Sequence, residues 1–382
     1  MSSPLHVAIM GTRGIPASYG GFETFAEKLS LRLVKRGYKV TVYCRRFFGK
    51  QVDNPAEYKG VRLIHSPTVR HKYFETPVHA LISFLSLWRE RYDVVLLCNG
   101  ANSPFAWIVR VMGIPLVINV DGIERKRAKW GLAGRLWYAL GERCSVWFAN
   151  KIVADAQVIS DYYMKRYGTK SAVIAYGGEV EKPQKTGFLD EIGVEKGRYI
   201  LYVSRLEPEN NALGVIEAYG MSNLTLPLVI VGDAPYADLY KKQLHERANK
   251  ISVSTSKKVI FTGFQFGDPY RELRSHCTLY VQATEVGGTH PALVEAMAYG
   301  NAIIANDVPE HREVLGDSGE YYPKNNFTAL AKKMEELCKD GDRRKVLGDS
   351  ARRRAMSIYS WDGIVDQYEE LFNEICQYSG DL

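Results

Sequence analysis

The sequence has no CxxC pair, no GxGxxG, no GxxxxGK[ST] and no apolar run long enough to span a bilayer. Its six cysteines, Cys44, Cys98, Cys144, Cys277, Cys338 and Cys376, are scattered. That argues against a zinc site or a disulfide framework and fits a reducing cytosol. A spanning helix needs about 18 apolar residues, and the longest candidates are broken by Arg110 and by Trp88-Arg89. The start runs into an apolar strand, Leu5 to Met10, without the basic start and small-residue cleavage site of an export signal. The chain is therefore expected in the cytoplasm, soluble or peripheral on the inner face of the cell membrane. An NAD oxidoreductase is disfavoured, because neither half shows GxGxxG followed by a ribose-binding acid.

What is present is ordinary in bulk. At roughly 150 residues per domain, 382 residues give two domains. Hydrophobic residues at 46% and charged residues at 24% suit a folded chain with large cores. Lys plus Arg number 50 against 43 for Asp plus Glu, a net charge of +7. Such a balance permits an anionic partner without choosing one.

Strand and helix signals alternate. Leu5–Met10, Lys39–Cys44, Val61–His65, Val94–Cys98, Leu116–Val120 and Lys151–Ala154 read as strands of a first half. Tyr199–Val203, Leu228–Val231, Val259–Thr262, Leu279–Val281 and Ala302–Ala305 read as strands of a second. Helical spacing runs from Phe22 to Leu33, Ser103 stands as an N-cap before Pro104, and a final amphipathic helix covers Trp361 to Gln377. Gly177 to Gly197 is the linker candidate. The pattern predicts an α/β protein of parallel sheets covered on both faces. Ligand sites then fall just after the strands.

Three such places stand out. Gly11-Thr12-Arg13-Gly14-Ile15-Pro16 and Tyr19-Gly20-Gly21-Phe22-Glu23 open a helix whose amides could meet a phosphate, or form a surface loop of turn glycines. Ser204-Arg205-Leu206-Glu207-Pro208-Glu209-Asn210-Asn211 offers an Arg able to fork onto a diphosphate, or one that merely pairs with Glu207 or Glu209. The third is Glu285-Val286-Gly287-Gly288-Thr289-His290-Pro291, leading into Glu295. Amides around Gly288, Thr289 and His290 could hold a sugar or phosphate, and Glu295 a ribose hydroxyl; an ordinary capped helix reads the same way. His290 is either a donor contact or structural.

In order, "GTRGIPASYGGFETFAE", "SRLEPENN", "VGD", "FTGF" and "PALVEAMAYGNAIIA" resemble the retaining glycosyltransferases of family four, across nearly the whole chain. The first motif and "EVGGTHPALVEAM" resemble a bacterial rhamnosyltransferase subgroup of cell-surface polysaccharide assembly. The resemblance implies a GT-B fold of two doubly wound Rossmann-like domains around an interdomain cleft. Residues 1–178, completed by a helix over 362–382, would form the acceptor-side domain and 179–361 the nucleotide-sugar domain. It implies a metal-independent transferase without cofactor, moving L-rhamnose from dTDP-rhamnose onto a lipid-linked saccharide, with no nucleic-acid partner. Gly20, Gly21, Arg205, Asn210, Gly288, Thr289 and Glu295 would bind the donor, and Arg205, Glu285, Asp121 and His290 would serve catalysis.

The sequence departs from the family in three places. Seven residues usually separate the two glutamates; nine separate Glu285 and Glu295. Asn210 replaces a diphosphate-binding Lys, so Arg13 or helix-terminal amides would compensate. Asp121 replaces a His that in many relatives lies near the sugar 6-hydroxyl, which suits a 6-deoxy sugar; Asp121 could instead orient the acceptor or pair with Arg125. The only DxD, Asp340-Gly341-Asp342, reads as a solvated turn.

Arg125, Lys126, Arg127, Lys129 and Arg135 cluster beside Trp130, Trp137 and Tyr138. They are expected to dock the first domain on an anionic membrane, or to form a solvated helix whose aromatic face packs inward. Three other classes remain open: a UDP- or GDP-sugar hexosyl or N-acetylhexosaminyl transferase, a sugar-nucleotide epimerase, and a non-catalytic binding module.

Overall fold

The computed structural model describes residues 4–18, 20–47, 54–127, 130–255 and 257–379. The chain forms two compact units: Met1–Tyr176 with Trp361–Leu382, and Gly177–Ser360. The six cysteines are free thiols. No helix among the described residues is long and apolar enough to cross a membrane.

The first unit carries β1 (His6–Met10), β2 (Lys39–Phe47), β3 (Glu57–Tyr58), β4 (Val61–Thr68), β5 (Val94–Cys98), β6 (Leu116–Val120), β7 (Lys151–Ala154) and β8 (Ala172–Val173). They form one sheet in the order β3-β4-β2-β1-β5-β6-β7-β8, parallel except for β3 on β4. Every residue of β1, β5 and β6 is buried, as parallel strands covered on both faces require. Alternate residues feed two cores. Val7 and Ile9 pack under the Gly21–Lys35 and Trp361–Ser379 helices, while Ala8 and Met10 pack beneath Ala80, Phe84, Ile108 and Val109 on the other face. The terminal helix is pinned by Asn119 Nδ2 donating to Tyr368 Oη at 2.7 Å and by Arg36 pairing with Asp366 at 2.6 Å.

The second unit carries β9 (Ile200–Val203), β10 (Leu228–Val231), β11 (Val259–Gly263), β12 (Leu279–Gln282), β13 (Ile303–Asn306) and β14 (Glu320–Tyr322). Their order is β11-β10-β9-β12-β13-β14, all parallel. The strand order reverses between β9 and β12, the topological switch point at which doubly wound sheets place ligands.

One expected cap moves. Asn99, at φ 70°, accepts from the Ala101 amide at 2.9 Å and starts a tight turn over Gly100–Phe105. Ser103 lies inside that turn with its hydroxyl 2.8 Å from that of Ser145, so it ties the turn to the Leu132–Phe148 helix rather than capping. Asp340 caps the Gly341–Ile358 helix, accepting from the Arg343 amide at 2.8 Å, which gives this acid of the DxD a local duty.

Candidate functional site

In the second unit the residues singled out from sequence gather at the carboxyl ends of β9 and β12, on either side of the switch point. Arg205 leaves β9 two residues past its end. Its side chain is 30% exposed, and Nη1 lies 4.0 Å from Glu207 Oε1, a long and weak pairing. The loop carrying it is held from below. Asn210 is buried and its amide donates to the Arg205 carbonyl at 2.8 Å, while Tyr202 Oη donates to the Asn210 carbonyl at 2.5 Å. Asn210 therefore braces the backbone of Arg205 through one of its amide hydrogens. Gly232, at φ 131°, lets β10 pass this loop: a Cβ there would lie 1.9 Å from the Ser204 carbonyl oxygen.

Asn211 adopts φ 63° and sends its amide into the loop after β12, 2.9 Å from the Ala283 carbonyl and 3.0 Å from Glu285 Oε1. It also meets Asn325 Oδ1 at 3.1 Å, and Asn325 is held in turn by the buried Asn306 at the end of β13. Asparagines thus knit the ends of three strands and orient the Glu285 carboxylate.

His290 stands at the N-cap of the Pro291–Ala298 helix. Its ring covers Gly287, where a Cβ would lie 2.4 Å from His290 Cε1. Seven residues separate Gly287 from Glu295, so position 287 is where the family's spacing would set its first glutamate. A side chain there would meet the His290 ring unless that ring moved.

Hydrogen bonding places one proton on the ring. His311 is fully buried, with Nδ1 2.8 Å from the Asn306 carbonyl; that oxygen only accepts, so Nδ1 carries the proton. Burial pulls His311 down to about 4, leaving Nε2 as the acceptor for the Thr284 hydroxyl at 2.9 Å. Thr284 has then spent its hydrogen. Its oxygen accepts from Gln282 Nε2 at 2.8 Å and from His290 Nε2 at 3.2 Å. His290 consequently carries a proton on Nε2, which it donates to Thr284. Thr284 and His311 carry no motif of their own. They join the candidate site only through contact with a residue six and 21 positions away.

The buried histidine also makes stability depend on pH. The unfolded chain takes up this proton near 6.5, the folded chain only near 4. Between those values the unfolded state binds more protons, so stability present in full above 6.5 is lost as pH falls toward 4. The loss reaches roughly 3 kcal/mol for this one group. Urea melts at pH 7.5 and 4.5 should show a smaller acid penalty in His311→Gln than in the wild type; equal penalties would remove His311 as the cause.

Glu295 lies one turn into the helix with 16% of its side chain exposed. Its Oε2 accepts from Arg274, which is 4% exposed, and from Tyr270 Oη at 3.4 Å. The Arg274 guanidinium sits 3.7 Å from the Tyr270 ring centroid. Burial works against the charge of Arg274, but the Glu295 carboxylate outweighs it and holds the guanidinium above its ordinary range. Glu295 thus has a structural partner that sequence reading missed. Gly288 and Thr289 are buried in the loop.

In the first unit, Gly20 is the N-cap of the Gly21–Lys35 helix, which has no side-chain cap. The preceding loop is tied down by that helix: the Arg13 amide donates to Glu23 Oε1 at 2.8 Å and the Ala17 amide to Glu27 Oε2 at 2.7 Å. Arg13 pairs with the buried Glu75 at 2.8 Å. Asp121 directly follows β6, half-buried.

The basic cluster is not one exposed patch. Arg125 pairs with buried Glu142 at 3.1 Å and with Tyr162, and Arg127 is buried against Glu124. Trp130 packs against Tyr138 with ring centroids 5.1 Å apart, and Trp137 donates its indole N–H to the Ala101 carbonyl at 3.0 Å. Lys129 and the side chain of Lys126 lie outside the described residues. Aromatics packing inward and arginines meeting acids follow from the need to pair buried charge.

Residues 188–354 match the family model described as glycosyl transferases group 1, and residues 5–179 match a domain of unknown function, DUF1972. The chain is 22% identical over 388 residues to O-antigen chain mannosyltransferase C of Escherichia coli, covering 95% of this chain and 96% of that one. It is 26% identical over 173 residues to the Campylobacter jejuni N-acetylgalactosamine-N,N'-diacetylbacillosaminyl-diphospho-undecaprenol 4-alpha-N-acetylgalactosaminyltransferase, covering 44% and 45%. In structure it superposes on Anabaena HepE in complex with UDP-glucose with a TM-score of 0.77 at 17% identity, covering 97% and 100%. These matches, with the two parallel sheets, show the GT-B fold of two Rossmann-like domains, and residues 188–354 are similar to the glycosyl transferases of group 1.

Proposed function

We propose that the chain transfers a sugar from a nucleotide-diphosphate donor to a lipid-linked saccharide, with retention of configuration and without a metal. The observation that carries this reading is the arrangement at the β9–β12 switch point, where Arg205 and the Glu285–His290 loop meet. Arg205 supplies a forked cation for the diphosphate, whose charge grows as the sugar leaves. Glu295 offers its remaining acceptor capacity to the ribose. Glu285, oriented by Asn211, and His290, held by Thr284, flank the sugar. Retention follows from same-face attack in which the leaving phosphate takes the acceptor's proton, so no dedicated base is named. Relatives named for O-antigen chains and for a diphospho-undecaprenol acceptor support the acceptor class.

For the donor we propose dTDP-rhamnose, on the "GTRGIPASYGGFETFAE" and "EVGGTHPALVEAM" motifs and on Asp121. A site built to bond a 6-hydroxyl would leave a polar group unpaired when the deoxy sugar bound, costing about 1–3 kcal/mol. The near-full-length match to a mannosyltransferase favours a second reading, GDP-mannose. Competition at equal concentration decides: dTDP-rhamnose, GDP-mannose, UDP-glucose and UDP-N-acetylglucosamine are supplied with a lipid-linked acceptor and the product is weighed. A deoxyhexose increment is expected. A hexose or N-acetylhexosamine increment, with dTDP-rhamnose unused, overturns the donor and keeps the transferase. Isomerised donor without acceptor product would mean an epimerase.

A further inference from the structure

Eleven of the twenty-one large hydrophobics exposed among the described residues fall between Tyr73 and Trp147, so they are concentrated on one stretch of the first unit. They are not scattered within it. On the Leu132–Phe148 helix, Leu132, Leu136, Leu140 and Trp147 recur at helical spacing on the outer side, with Leu136 62% and Trp147 64% exposed. On the Glu75–Ser86 helix and the turn after it, Leu81, Leu85 and Trp88 do the same. Trp107 and Val111 continue the pattern on the short Trp107–Val111 helix. Buried residues of the second and third of these helices, with Val146 and Phe148 of the first, pack on the same core beneath β1, β5 and β6. The Gly100–Phe105 turn packs against the two longer helices. Their outer sides therefore make one layer on one side of the sheet.

The exposed charges carried by these helices are of one sign. The only acids in these helices are Glu75 and Glu142, both buried; Glu75 is held by Arg13 and Arg45, and Glu142 by Arg125. The exposed charges are Arg89, Arg110, Arg135 and Arg143. A broad apolar patch is rare on a free soluble surface. Leucine and tryptophan beside exposed arginines match a bilayer whose headgroups are anionic: apolar side chains enter the acyl boundary, Trp sits at the headgroup level and Arg meets phosphate.

We propose that this face, and not the Arg125–Trp130 segment, docks the protein on an anionic membrane surface. The assignment rests on the transferase reading only for its purpose, reaching a lipid-linked acceptor. Co-sedimentation of the full chain with phosphatidylglycerol-containing and pure phosphatidylcholine vesicles tests it. The wild type should bind the anionic vesicles, less so at high salt. Leu136→Glu/Leu140→Glu and Arg135→Glu/Arg143→Glu should each weaken binding at least tenfold while keeping the wild-type circular dichroism. Turnover of a water-soluble acceptor should be unchanged in both. Binding that survives the leucine substitutions, no binding by the wild type, or a wild-type dimer that the leucine substitutions split into monomers would each overturn the proposal; the last would assign the face to a second copy of the chain. Vesicle binding as expected but no turnover of any donor would leave the docking face standing and remove the transferase reading.

Discussion

Arg205→Ala should lower kcat by roughly 10²–10³ while the protein remains folded. The size follows from where charge appears. As the glycosidic bond to the diphosphate breaks, negative charge collects on the leaving phosphate, and a forked guanidinium is worth more there than in the ground state. The Arg205 side chain is 30% exposed and lies 4.0 Å from Glu207, and Asn210 holds its backbone. Truncating such a side chain changes stability by about 0.5 kcal/mol or less, so a lost rate reports chemistry. Arg205→Lys keeps a charge but loses the fork and should recover part of the rate. Steady-state kinetics with donor and acceptor, with a thermal melt as control, make the measurement. A kcat within twofold of wild type would reduce Arg205 to a surface partner of Glu207. The proposed metal-free mechanism is checked in the same assay: chelator should leave the rate unchanged, and a loss restored only by divalent metal would overturn it.

Parallel strands were legible because they are buried on both faces and so appear as short apolar runs ending near glycine or a polar turn. Val94–Cys98, Leu116–Val120, Lys151–Ala154 and Leu228–Val231 have the same bounds in sequence and structure. The strands β3, β8 and β14, two or three residues each, are too short to show a period. Arg205, Glu285 and Glu295 were visible because a doubly wound sheet presents the loops and helix starts at the carboxyl ends of its strands. Their supports were not. Arg274 and Glu295 are 21 positions apart, His311 and Thr284 are 27 apart, and Asn211 and Glu285 are 74 apart. Only the packed sheet brings such pairs together. The basic run from Arg125 shows the opposite failure. Adjacent charges in sequence read as one patch, yet tertiary pairing with Glu142 and Glu124 spends two of them.

Glu295→Ala should cost about 3–5 kcal/mol of stability, because it leaves Arg274 charged, buried and without its carboxylate. Arg274 has 4% of its side chain exposed, and its Nε already has no hydrogen-bond partner, so solvent cannot take over. A simple loss of nucleotide affinity in this variant would therefore mix two effects. Removing both members separates them. In Arg274→Met/Glu295→Leu the charge is gone from each side, and an apolar pair of similar volume is often neutral or better than the buried ion pair it replaces. This double variant should melt near the wild type. Nucleotide diphosphate at 100 times its Kd adds about 2.7 kcal/mol to a protein that binds it, which gives a thermal shift in the wild type. If Glu295 holds the ribose as well as Arg274, the double variant loses most of that shift despite its restored fold. A full nucleotide shift in the double variant would confine Glu295 to pairing with Arg274 and take the ribose role away from it.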